Sequence, residues 1–165
     1  MANAIKEKLQ AKIVTLPALT ELVDNWKDKG LKVVFTNGCF DLVHAGHISY
    51  MAEAASLGDR LIIGLNADSS VKLLKGPGRP INDQESRAIL LASLFFVDAV
   101  VIFDEETPLK MITALLPDIL AKGGDYALDQ IVGAKEVMAN GGEVKIIQFV
   151  DGFSSTAIIK KIKHQ

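Results

Sequence analysis

Short runs of β-branched and aliphatic residues, each followed by an amphipathic stretch, recur along this 165-residue chain and leave few folds open to it. The runs are KVVF (Lys32–Phe35), RLIIGL (Arg60–Leu65), DAVVIF (Asp98–Phe103), DILAK (Asp118–Lys122) and VKIIQFV (Val144–Val150). RLIIGL is continuously apolar, as a strand covered on both faces would be. After the first run, Ile48, Met51, Ala52 and Ala55 follow helical spacing, with Gly58 as a stop. Asn82 and Glu85 have the spacing of a capping box and predict a helix as far as Phe96. Thr107-Pro108 predicts the start of another, and a shorter helix is expected over Ala134–Ala139. A last helix is expected from Ser154, with Ile158, Ile159 and Ile162 inward and Lys160, Lys161 and Lys163 outward. Ahead of Lys32, ALTELVDNWKDK and the stop at Gly30 predict one or two leading helices.

Strand–helix alternation repeated this often implies parallel strands joined by right-handed crossovers. The fold expected is α/β: a single Rossmann-like, doubly wound domain over residues 31–165 with a five-stranded parallel sheet. Residues 1–30 are read as an N-terminal helical extension. Ligands of such sheets bind beyond the C-terminal strand ends, at the switch in strand order. The loops that follow strands are therefore where chemistry is sought.

Composition narrows the classes. A formal charge of −2 and a pI near 5.9 give no reason to expect a nucleic-acid partner, so any bound anion needs a local basic cluster. The single cysteine, Cys39, cannot form an intrachain disulfide, which fits a reducing cytoplasm. No apolar stretch approaches the roughly 20 residues that cross a bilayer. MANAIKEKLQAK has no apolar run behind its basic residues, unlike a secretory signal. A soluble cytoplasmic protein without a membrane partner is expected.

Four segments carry candidate chemistry. In TNGCFDLVHAGH, Asn37-Gly38 permits a tight turn, and His44 and His47 flank the start of a helix whose free N–H groups favour anions. Spacing alone leaves this pair open between a cap and a phosphate grip. Zinc lacks a third ligand, because the remaining histidine is C-terminal and Cys39 is isolated. VKLLKGPGRPINDQESR sets four basic residues (Lys72, Lys75, Arg79, Arg87) against Asp83 and Glu85, and reads either as a solvated loop or as a cover for a polyphosphate. DGFSSTAIIKK brings Ser154, Ser155 and Thr156 to a helix start, where one hydroxyl would suffice as cap. AKGGDY follows the fourth strand, as a glycine turn or as backbone contacts for a nucleoside. No G-x-S-x-G, P-loop or Rossmann dinucleotide fingerprint is present.

GCFDLVHAGH after the first strand, together with FSST before the last helix, resembles the nucleotidyltransferase superfamily. There an H-x-G-H signature and a C-terminal Ser/Thr signature jointly hold a nucleoside triphosphate; His44, Gly46 and His47 match the first. From Val33 to Ile162 the chain is similar to the adenylyltransferases of ADP-heptose synthesis, through FTNGCFD, LKGPGRPIN, KGGDY, GAKEV, GGEV and IIKKI. That family joins ATP and D-glycero-β-D-manno-heptose 1-phosphate, releasing pyrophosphate, for the lipopolysaccharide core. It is often fused behind a sugar kinase; this chain resembles the stand-alone form, which implies a separate heptose kinase. Glycerol-phosphate cytidylyltransferases share the histidine pair, but their C-terminal signature opens with arginine where this chain reads FVDGFSST.

The resemblance implies catalytic roles for His44, His47 and Lys75. Nucleotide contacts would come from Thr36, Asn37, Gly38, Phe40 and Gly46, from Arg87, Gly124 and Asp125, and from Ser154, Ser155 and Thr156. Asp41, Asn66, Asp68, Arg79 and Lys122 would serve the acceptor, Asp41 by orienting either substrate or a histidine. A Mg2+ ion bridging the ATP phosphates, held largely by substrate and water, is expected, as is a possible homo-oligomer. The rivals are a related transferase with another acceptor or base, a non-catalytic nucleotide-binding module, and a zinc protein.

Overall fold

The computed structural model describes residues 2–124, 126–149 and 152–163. Two helices, α1 (Ala2–Gln10) and α2 (Leu16–Asp28), precede β1 (Val33–Gly38). Then follow α3 (Ala45–Ala55), β2 (Arg60–Asn66), α4 (Asp68–Lys75), α5 (Gln84–Ala92) and β3 (Ala99–Phe103). The second half holds α6 (Leu109–Leu115), β4 (Ile119–Gly123), α7 (Ala134–Ala139), β5 (Glu143–Ile147) and α8 (Ser155–Lys163). The five strands form one parallel sheet in the order β3-β2-β1-β4-β5, the Rossmann-like arrangement expected.

Both faces of the sheet are covered, which is why the inner strands are apolar along most of their length, with polar residues towards their ends. On one face Val34, Ile63, Leu65 and Ala121 pack with Tyr50, Met51 and Leu91 from α3 and α5. On the other, Val33, Phe35, Ile62 and Leu120 pack with Leu19 and Val23 of α2 and with Met111 and Ile112 of α6. Helix α2 is thus part of the core. The segment between α1 and α2 also lies along edge strand β3: Ile13 bridges Val100, and Val14 N–H donates to the Val100 carbonyl at 2.9 Å. That pairing occupies polar groups that an open edge would offer to another chain. Among the described residues no helix is long and apolar enough to cross a membrane.

Several boundaries differ from the sequence reading. β1 runs on to Gly38 because Thr36–Gly38 keep parallel register with Ile63–Leu65, and the Thr36 hydroxyl finds Tyr50 in the core. α4 runs into the start of the basic segment and was not expected: its N-cap, Ala67, has no capping side chain, and the Gln84 amide oxygen accepts the Asp68 N–H at 3.0 Å instead. The cap of α5 is Asp83, not Asn82; its carboxylate accepts from Ser86 N–H at 2.7 Å, and the helix stops at Ala92. Pro108 caps α6 without a side-chain bond from Thr107. β5 ends at Ile147, opposite the end of β4, rather than at Val150, which lies outside the described residues. In α8 the inward face is shallow, with Ile158 37% and Ile162 65% exposed.

Candidate active site

Strand order reverses between β1 and β4, so a crevice opens beyond their C-terminal ends. β1 brings Asn37 and Gly38 there, and β4 brings Lys122 and Gly123. Two adjoining compartments result. One, of about 270 Å³, is lined by Asn37–Asp41, Tyr50, Lys122, Gly123 and Tyr126. The other, of about 220 Å³, is lined by His44, Gly46, Phe153, Ser154 and Thr156. His47, Lys75, Phe149 and Ser155 line both.

The three-residue spacing of the histidines makes them cap their own helix. His44 is the N-cap of α3, and its Nδ1 accepts the His47 N–H; the Nδ1 of His47 accepts the His44 N–H, each at 3.4 Å. The rings stack with centroids 3.9 Å apart and 19° between their planes. An Nδ1 that accepts a backbone N–H leaves the proton of a neutral imidazole on Nε2. Burial pushes His44 below the usual histidine range. Burial, the neighbouring His44 and the Lys75 charge lower His47 to about 4. Near neutral pH the pair is therefore two uncharged Nε2–H donors, with positive charge supplied by Lys75. Capping thus uses Nδ1 of each ring, and Nε2 is the ring nitrogen that remains.

This depression has a stability consequence. The unfolded chain takes up the His47 proton near 6.5 and the folded chain only near 4. The unfolded state thus binds more protons between those values, and stability must fall as pH drops through that window. Denaturant titrations between pH 7 and pH 4 should show this decline, and His47→Gln should flatten it.

Glycine and strain shape the surroundings. A Cβ on Gly46 would lie 2.9 Å from the Phe153 Cβ and 3.2 Å from the His44 ring, so a side chain there would push the two aromatic groups apart. Phe40 holds a left-handed backbone (φ +43°), rare for a bulky residue. It places its ring against Gly38 and edge-on to His47, 5.5 Å between centroids.

The hydroxyl run divides its labour. Ser154 Oγ accepts the Ala157 N–H at 3.4 Å as a cap, and Ser155 Oγ donates to the Leu42 carbonyl at 3.0 Å, tying α8 to the histidine loop. Thr156 is exposed and lines the smaller compartment. Lys122 donates to Asn37 Oδ1 at 3.3 Å, and burial pushes its ammonium below the usual lysine range.

Other expected contacts are engaged within the protein. Arg87 is 1% exposed and spends its guanidinium on the carbonyls of Asn82 (3.0 Å), Cys39 (2.6 Å) and Asn66 (2.8 Å) and on Asp68 Oδ1 (2.6 Å). It clamps the ends of β1, β2 and α4 together, and is not placed to reach a phosphate. Asp68 is its partner, and Asn66 is buried with its amide on Ser70 at 3.3 Å; neither lines either compartment. Asp41 lines the larger compartment, where its carboxylate is engaged by the neighbouring loop. Its carboxylate pairs with Arg79 and accepts from Ile81 N–H (2.7 Å) and Asn82 N–H (3.1 Å), which pins the Gly/Pro-rich loop. Burial alone would raise this carboxyl; Arg79 and the two amides outweigh it and hold it below the usual range. Arg79 thus serves that loop and lines a separate cleft with Asp68 and Lys72. Thr36 is fully buried behind the pocket wall, Gly124 (φ +112°) turns the chain after β4, and Asp125 lies outside the described residues.

Sequence reasoning did not name Cys39, Tyr50, Gly123, Tyr126, Phe149 and Phe153 as site residues, although KGGDY held two of them. Isolated aromatic residues have no spacing signal; only the adjacency of Phe153 to SST could have marked one of them. Among the described residues no group of three or more His, Cys, Asp or Glu side chains converges as a metal cage, and Asp41, the carboxylate in the cleft, is already engaged.

A parallel sheet with a histidine pair capping a helix at its switch point, facing a second helix start rich in hydroxyls, defines a nucleotidyltransferase. Residues 35–161 match the cytidylyltransferase-like family, and the chain belongs to it. It is 56% identical over 151 residues to the bifunctional protein HldE of Vibrio atlanticus (strain LGP32), covering 92% of this chain and 32% of that protein. It is 51% identical over 165 residues to the HldE protein of Haemophilus ducreyi, covering 99% of this chain and 35% of that one. The chain thus spans about a third of the length of these curated relatives. The crystal structure of the lipopolysaccharide core biosynthesis protein of Thermoplasma volcanium GSS1 superposes with a TM-score of 0.59 at 31% identity, over 73% of this chain and 98% of that one. Pantoate-beta-alanine ligase of Francisella tularensis, at 16% identity over 92% of this chain and 76% of that one (TM-score 0.58), shares the fold.

Proposed function

We propose that this nucleotidyltransferase transfers the adenylyl group of ATP to D-glycero-β-D-manno-heptose 1-phosphate, giving ADP-heptose and pyrophosphate. The observation that carries the transfer chemistry is the collar shared by both compartments. His47 and Lys75 line the two spaces at once, where a phosphorus joined to groups on both sides would sit. A phosphate oxygen of the sugar attacks the α-phosphorus in line, and the bond to the bridging oxygen of the β-phosphate breaks. The attacking oxygen is already anionic, so no general base is required.

The protein's work is alignment and charge stabilisation. His44 and His47 donate Nε2–H to α-phosphate oxygens as negative charge builds there. Lys75 adds positive charge, and Thr156 with the first N–H groups of α8 receives the leaving pyrophosphate. A magnesium ion accompanying the substrate would be carried by its phosphates and water. The heptose acceptor is supported by the resemblance of FTNGCFD, LKGPGRPIN and KGGDY and by the relatives' identity. A sugar kinase must supply the 1-phosphate.

Pyrophosphate release from ATP with heptose 1-phosphate, against CTP with glycerol 3-phosphate, tests the assignment. Release with the first pair alone is expected. Release with the second alone would move the protein to the cytidylyltransferase branch.

A further inference from the structure

Two aromatic side chains are out of character in a phosphate cleft. Tyr126 is 45% and Phe149 57% exposed, yet both line the larger compartment. Neither is loosely placed. A Cβ on Gly123 would stand 2.5 Å from Cε1 and 2.7 Å from Cζ of Phe149, so the far edge of that ring rests where only glycine leaves room. A Cβ on Gly124 would stand 3.2 Å from Cε2 of both rings, so the pair flanks this one residue. Tyr50 meets Phe149 edge to face at 5.9 Å, and the Lys122 ammonium stands 6.0 Å from the Tyr126 centroid. Each ring is held from one side and is about half exposed, and Phe149 lines the smaller compartment as well.

Phosphates do not call for such rings, because they need donors and positive charge, which the histidines, Lys75 and α8 supply. A flat heteroaromatic ring does call for them, since it gains from stacking and buries their apolar surface. We propose that Phe149 and Tyr126 form a stacking slot for the nucleobase, which favours a purine over a pyrimidine through its larger stacking area. The slot rests on the nucleotidyl-transfer reading above and extends it to the choice of base.

The test is calorimetric titration of the full chain, without acceptor, using ATP, CTP and inorganic triphosphate. Phe149→Ala should weaken ATP by about 5- to 150-fold, the range found when a base-stacking aromatic is truncated. CTP should lose less, and inorganic triphosphate should bind as before. Phe149→Leu, which still fills the space over Gly123, should move ATP in the same direction, as should Tyr126→Leu. Unchanged ATP affinity in the Phe149 variants would overturn the slot. So would an equal loss for inorganic triphosphate, which would make the ring part of the phosphate cradle. Pyrophosphate release by His47→Ala separates the two levels. If its kcat is near normal while Phe149→Ala still loses ATP selectively, the histidine reading fails and the slot stands.

Discussion

His47→Ala should lower kcat by about 10²–10³-fold while the fold survives, the loss seen when one preorganised donor to a developing oxyanion is removed. The expectation follows from the donor's state. His47 is fixed by its Nδ1 contact to the His44 N–H and kept uncharged by burial, so its Nε2–H is in place before any charge develops. A preorganised donor acts mainly in the transition state, so KM for ATP should change far less than kcat. His47→Gln retains an N–H donor and should recover part of the rate. Steady-state pyrophosphate release, with circular dichroism on each variant, checks both. A folded His47→Ala protein with near-normal kcat would sink the assignment.

Arg87→Ala should destabilise the protein by about 3–5 kcal/mol, as expected when one partner of a buried charged network is removed. The carbonyls of Cys39, Asn66 and Asn82 would lose their donor, and a cavity would open between β1, β2 and α4. For a chain of this size the melting temperature should drop by roughly 6–20 °C. Arg87→Lys should restore little, because one ammonium cannot reproduce a planar fork that meets four acceptors. Thermal melts decide the matter. A melt within about 2 °C of wild type, under 1 kcal/mol on the same scale, would return Arg87 to the surface role its charge suggested.

Arg87 shows where sequence reasoning stops. Its neighbourhood of four basic residues reads along the chain as one segment, either a solvated loop or a cover for a polyphosphate, yet the fold splits them. Lys75 stays in the crevice, Arg79 pairs through Nε with Asp41 and Arg87 is buried. Charge density along a sequence says nothing about which guanidinium meets which carbonyl across 20 to 50 residues of chain. Helix α4, which runs into the same segment, was missed for a similar reason, since its first N–H is satisfied by Gln84, 16 residues further along the chain. The H-x-G-H pair was legible because its geometry is local: three residues of a helix start determine which nitrogen faces in and which faces out.

By itself, then, the sequence determined the alternating α/β architecture, the parallel sheet and the two segments that meet over the crevice. Hydrophobic periodicity and helix-start chemistry are short-range properties that any stretch of chain declares. Tertiary structure alone decided which polar groups are left for a ligand. The partners that consume Asp41, Arg79 and Arg87, and the glycines that admit Phe149, lie far away in sequence and become neighbours only when the sheet closes.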